Sequence, residues 1–130
     1  MVDFANSQTE FKFVLPKGLI DDSGTLHRAG TIRLATAKDE MVTAKDPRVR
    51  ENPAYGTLVR LSRTITRLGT LSAIDPEDLE NLFSIDLIYL CELFDRINQK
   101  GDPHITTQCP HCQQALRVDL ANLGESRATP

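Results

Sequence analysis

Between Asp75 and Gly101 the chain carries an apolar stripe at helical spacing: Leu79, Leu82 and Phe83, then Leu87, Leu90, Leu93, Phe94 and Ile97. Apolar residues three and four apart share one face of a helix. The start is well marked. Asp75 suits the cap, Pro76 suits the first helical position, and Glu77 and Asp78 complement the helix dipole. Gly101 and Pro103 close the run. The pattern fits one long helix or two with a break near Ser84. Either way a large apolar face must be covered, and a chain of 130 residues suits one domain to cover it. The supply is lean: there is no Trp, and aromatics are 5% of the chain.

Cover of the right kind stands at the other end of the sequence. In Phe11-Lys12-Phe13-Val14-Leu15 the apolar residues alternate, which places Phe11, Phe13 and Leu15 on one face of a strand. Pro16 and Gly18 are expected to end that strand, and Asp21-Asp22-Ser23-Gly24 reads as a turn. Thr31 to Leu34 is then a second strand, antiparallel to the first. So small a sheet needs a helix against it. Residues 35–52 are polar, with a short helical turn expected near Lys38 to Met41. From Pro53, the residues Tyr55, Leu58, Val59, Leu61, Ile65 and Leu68 recur at helical spacing, which predicts a helix over 53–68 capped by Gly69.

The tail reads as strand (104–108), turn (109–113) and strand (115–120), with Cys109-Pro110-His111-Cys112 in the turn. Two thiolates two residues apart in a tight turn can face one ion, as in a zinc-ribbon knuckle. Two features depart from that pattern. Gln113 stands where such knuckles carry Gly, and no second Cys-x-x-Cys exists to reach four ligands. His104 is the best third ligand; His111 lies inside the loop, His27 and Cys91 are remote, and Cys91 reads as core. The candidate zinc set is therefore Cys109, Cys112 and His104, completed by a second copy of the chain or by a partner. The alternative is a hairpin that folds without metal. A redox role would place the motif at the start of a helix.

The expected fold class is α+β: a small N-terminal antiparallel β-hairpin, two or three helices, and a C-terminal zinc-ribbon-like β-hairpin. Residues 1–10 form a flexible lead-in, 11–100 the α+β domain, 104–120 the knuckle hairpin and 121–130 a disordered tail.

Charge is segregated along the helices. Arg60, Arg63 and Arg67 fall on one stripe of the first helix, while the segment from Asp75 to Asp95 holds seven acids and no base. The two can pair within the domain, or the arginines can dock a protein of opposite pattern. The net charge of −3 argues against a general nucleic-acid coat, and residues 104–120 offer only Arg117 as a basic group for a zinc-dependent one. No apolar run approaches the ~20 residues needed to cross a bilayer. Met1-Val2-Asp3-Phe4 lacks a secretory pattern, so the cytoplasm is the expected compartment. Catalytic motifs are missing too: no Gly-x-Ser-x-Gly, P-loop or His-Glu-x-x-His occurs. The expectation is a protein that is not an enzyme.

One resemblance runs through most of the chain. Phe11-Lys12-Phe13-Val14-Leu15-Pro16-Lys17-Gly18, then Asp22-Ser23-Gly24-Thr25-Leu26-His27-Arg28, resembles the opening of phage tail assembly proteins. Ile32-Arg33-Leu34-Ala35-Thr36-Ala37-Lys38-Asp39-Glu40 and Lys45-Asp46-Pro47-Arg48-Val49 continue it. Asn52-Pro53-Ala54-Tyr55, Leu68-Gly69-Thr70-Leu71, Leu82-Phe83-Ser84-Ile85-Asp86-Leu87 and Arg96-Ile97-Asn98 follow in order, over about two thirds of the chain. Related proteins accompany contractile phage tails and tail-derived extracellular contractile injection systems. The resemblance implies a non-enzymatic assembly chaperone that covers the apolar stripe of a helical tape-measure protein until the tube encloses it. The alternative is a structural component of the baseplate or tube end, retained in the particle. Leu58, Leu61, Ile65, Leu79, Leu82, Phe83 and Phe94 are the candidates for core or for a partner groove.

Overall fold

The computed structural model describes residues 8–101, 103–108 and 110–122. The chain is α+β, with its N-terminal hairpin in place. Strand β1 (Glu10–Ile20) pairs antiparallel with β2 (Leu26–Arg33), and Phe11, Phe13 and Leu15 alternate inward as the sequence indicates. Both strands are longer than expected. Pro16 and Gly18 interrupt the pairing without ending β1: the register breaks between Val14 and Leu19, then resumes with Leu19 opposite His27 and Ile20 opposite Leu26. The strand survives the break because a side chain from another element takes over its backbone donors. Asp86, fully buried, accepts from the N–H groups of Lys17 at 2.8 Å and Gly18 at 2.9 Å.

After β2 come helices α1 (Ala37–Lys45) and α2 (Pro47–Glu51), where one short turn was expected. Thr36 and Asp39 form a reciprocal capping box at the start of α1, and Asp46 caps α2 ahead of Pro47. A short 3-10 turn (Pro53–Tyr55) leads into α3 (Gly56–Thr64).

The single helix expected over 53–68 does not form. Residues Ile65–Leu68 leave α3 as strand β3, which pairs antiparallel with β2 and makes a three-stranded sheet in the order β1-β2-β3. Ile65 opposes Ile32 and Leu68 opposes Gly30, with a register shift between them. That irregularity turns both Ile65 and Leu68 inward. A bulged strand thus reproduces the three-residue spacing of a helix. The open edge of β2 and the β-branched run Thr64-Ile65-Thr66 decide the outcome. Gly69 follows a strand, not a helix, with φ of +61°; a Cβ there would collide with the His27 ring. His27 is buried, with Nε2 2.8 Å from the Asp21 carboxylate and Nδ1 accepting from the Thr70 N–H.

The long apolar stripe divides where a break was anticipated. Helix α4 (Pro76–Leu79) is one turn with a capping box between Asp75 and Asp78, and α5 (Ser84–Lys100) carries the rest to a left-handed cap at Gly101. The core lies between α5 and the sheet: Leu90, Leu93 and Ile97 pack with Phe11, Phe13, Leu15 and Ile32, closed by Leu61 and Leu79.

Strands β4 (His104–Gln108) and β5 (Ala115–Asp119) form a separate antiparallel hairpin. Its base is tied to the body. Leu120 is buried in the same core, its N–H donates to Pro103 O at 2.9 Å, and the Tyr89 hydroxyl donates to Leu120 O at 2.7 Å. The expected disordered tail therefore begins too early at 121, because a 3-10 turn (Leu120–Asn122) docks there; residues 123–130 lie outside the described part. Likewise the lead-in ends before Glu10, which is already in β1, and residues 1–7 lie outside the described part.

Candidate functional site

Asp39 organises the region around the arginines. It is buried, and its carboxylate accepts from both terminal nitrogens of Arg33 at 2.8 and 2.9 Å and from Arg63 Nε at 2.9 Å. Thr36 adds a backbone N–H at 2.7 Å. The guanidinium of Arg33, then the Thr36 N–H and Arg63, holds the Asp39 carboxyl well below the usual carboxylate range. The remaining donors of Arg33 reach Leu34 O and Arg63 O, so one cluster joins β2, α1 and α3.

That cluster redistributes the arginine stripe. Arg60 pairs with Glu40 at 2.8 Å and Arg63 with Asp39; Arg67 lies on β3 and donates to Gly69 O at 2.9 Å. The three do not share one helix face, because the chain becomes a strand after Thr64. Nor do Arg60 and Arg63 turn to the acids of 75–95: their partners come from α1.

Three of those acids, Glu80, Glu92 and Asp95, line a cleft. Helices α3 and α5 diverge around a hollow of about 580 Å³, floored by Leu58, Leu79, Leu82, Leu87 and Ile88. Past Thr57, Cys91 and Asp95 it continues into a second hollow of about 380 Å³, reaching Arg60, Glu40 and Phe94. Ile88 is 69% exposed, and the neighbouring Phe83 and Ile85 are 51% and 40% exposed. Of the core-or-groove candidates, Leu61, Ile65 and Leu79 are buried, Leu58, Leu82 and Phe94 are half-buried at the cleft, and Phe83 is exposed.

Ile88 was not among the candidates. The signal for it was present: Ile88, Glu92 and Asp95 sit at i, i+4 and i+7, a stripe beside the one that fills the core. Cys91 is half-buried at the cleft and not core as expected, and its thiol is pushed up by burial.

A polar cleft of about 980 Å³ lies elsewhere, between the 21–23 turn, Arg48 with Tyr55, and α4. Its main polar groups are engaged: Arg48 binds Asp46 and stacks over the Tyr55 ring at 5.4 Å, and the Tyr55 hydroxyl donates to Glu80 at 2.6 Å.

Two of the three expected zinc ligands, His104 and Cys112, lie in the described part of the hairpin. His104 opposes Asp119 at the base, while the turn lies beyond the Gln108–Ala115 pair. Four residues of strand separate the two ends, about 13 Å. At the base, His104 Nδ1 lies 3.1 Å from an Arg117 nitrogen and Nε2 lies 3.8 Å from Asp119. Cys112 is exposed near the turn, and Cys109 lies outside the described residues. Among the described residues no three His, Cys, Asp or Glu converge on a metal position. Gln113 has φ of +60°, the left-handed conformation that Gly would adopt at this point of a knuckle.

Among the described residues no helix is long and apolar enough to cross a membrane. Comparison with protein-family models, curated proteins and solved structures finds no match for this chain.

Proposed function

We propose that the chain is a non-enzymatic assembly factor of a contractile phage tail or tail-like injection system, which holds an apolar helical segment of the tape-measure protein before the tube closes around it. The observation that supports this reading is the cleft between α3 and α5, whose apolar floor stays open although the domain is short of large hydrophobes. Ile88, with the nearby Phe83 and Ile85, stands exposed at the start of α5. The part of α5 that lines the cleft, from Leu87 to Asp95, offers about 13 Å of wall, enough for about two turns of a bound helix. The ordered resemblance to tail assembly proteins from Phe11 to Asn98 includes Asn52, Ala54, Tyr55, Leu82 and Leu87 of the cleft's lining.

The test is a tagged pull-down from the native cell alongside mass spectrometry of finished particles. Capture of a long helical tail protein, with the chain absent from particles, is the expected result. Presence in particles at fixed copy number would make the chain a structural part of the baseplate or tube end. Recovery of no tail protein at all would sink both readings.

A further inference from the structure

We infer that the α3–α5 cleft selects a helix whose apolar stripe is flanked by lysine or arginine; this rests on reading the cleft as the partner groove. The walls carry four carboxylates, Glu40, Glu80, Glu92 and Asp95, against the single guanidinium of Arg60. Arg60 is already neutralised by Glu40. Glu80 accepts from the Tyr55 hydroxyl and has no basic partner there, and Glu92 pairs with Arg96 one turn on. Asp95 is exposed and stands where the two hollows meet. Arg63 is thus engaged by buried Asp39 and Arg60 by Glu40, and among the described residues the charges at the cleft without a basic partner, Glu80 and Asp95, are acidic.

Charge of one sign around an apolar floor does two things. It favours a ligand with the opposite flanking charge, and it penalises an acidic one. An amphipathic helix with basic flanks meets both conditions. A second copy of α5 meets them poorly, since its own Glu92 and Asp95 stand beside Arg96 and Lys100 and leave no basic excess. An anionic membrane surface is repelled by the acids of the cleft.

The test uses the full chain and two synthetic 20-residue amphipathic helices with one leucine stripe, flanked by lysine in one peptide and glutamate in the other. Binding is read by fluorescence anisotropy at low and at high salt. The lysine peptide is expected to bind roughly tenfold or more tighter than the glutamate peptide, with the difference shrinking in salt. Ile88→Asp should abolish the binding and Asp95→Lys should reduce the preference. Both positions are exposed, and circular dichroism with thermal melting checks that each variant is folded. Equal affinity for the two peptides, tighter binding of the glutamate peptide, or binding of neither overturns the inference. So does a dimer in sedimentation that Ile88→Asp dissolves. The two readings fail separately. A lysine-peptide preference with no tail protein captured from cells removes the assembly role and keeps the cleft's selectivity. Capture of a tail protein whose bound helix lacks basic flanks does the reverse.

Discussion

Asp86 carries more of the fold than its place in the sequence suggests. It sits in the first turn of α5, where an acid near the positive end of the helix dipole needs no further explanation. Its two oxygens instead satisfy the backbone of β1 at the point where Pro16 and the break in pairing leave two adjacent N–H groups without strand partners. A buried donor without an acceptor costs the full desolvation of the group. Asp86→Asn replaces one accepting oxygen with an NH₂ that faces a donor. The expected outcome is a loss of about 2–3 kcal/mol in urea unfolding. A loss under about 0.5 kcal/mol would mean that water or a backbone shift serves the freed group equally well. Nothing local in the sequence announces this bond, since 68 and 69 positions separate its partners.

At the scale of elements, the docked hairpin is the most informative. Strands of five residues paired only with each other are marginal in water. What holds β4 and β5 to the body is the returning turn: Leu120 in the core and Tyr89 donating to Leu120 O. Burial pushes the Tyr89 phenol up, so it donates as a neutral hydroxyl across the ordinary pH range. Tyr89→Phe keeps the ring and removes the donor. A global loss of about 1 kcal/mol is expected, together with faster amide exchange in 104–119 than in β1 and β2. Uniform acceleration throughout the chain would instead make the hairpin part of the cooperative unit. The strand limits in this tail were readable from the sequence, because alternation and turn residues are local signals. Strand β3 was not readable. Its bulge places Ile65 and Leu68 inward at helical spacing, and the pairing edge that recruits it lies more than 30 residues earlier.

For the molecule as a whole, the Asp39 cluster is the joint between sheet and helices, and it makes stability sensitive to acid. Asp39 is held below its ordinary range by Arg33, Asp21 by His27, and Asp46 is drawn down to about 2 by Arg48. Each binds a proton more readily in the unfolded chain. Their contribution is therefore fully present above the unfolded value near ~4, and it is lost as the pH falls through that value toward the depressed folded one. The urea midpoint should fall steadily between about pH 5 and pH 3. Asp39→Asn should lower the midpoint at pH 7 and flatten the acid limb. An acid limb as steep as that of the parent chain would show that Asp39 is not a principal cause. The mutation is expected to cost about 3 kcal/mol at neutral pH, since it leaves Arg33 and Arg63 without the charge they surround.

What the sequence determined by itself is what short-range physics controls. The alternation of Phe11, Phe13 and Leu15, the caps at Asp75 and Gly101, the break near Ser84 and the strand–turn–strand tail each depend on residues within a few positions of one another. The α+β class follows from them. The tertiary structure decided the rest because its causes are distant in the chain. It ended α3 at Thr64 by offering the edge of β2. It carried β1 past Pro16 with a carboxylate from α5. It drew Arg60 and Arg63 onto α1, away from the acids of 75–95 that the linear order of charges offers them as partners.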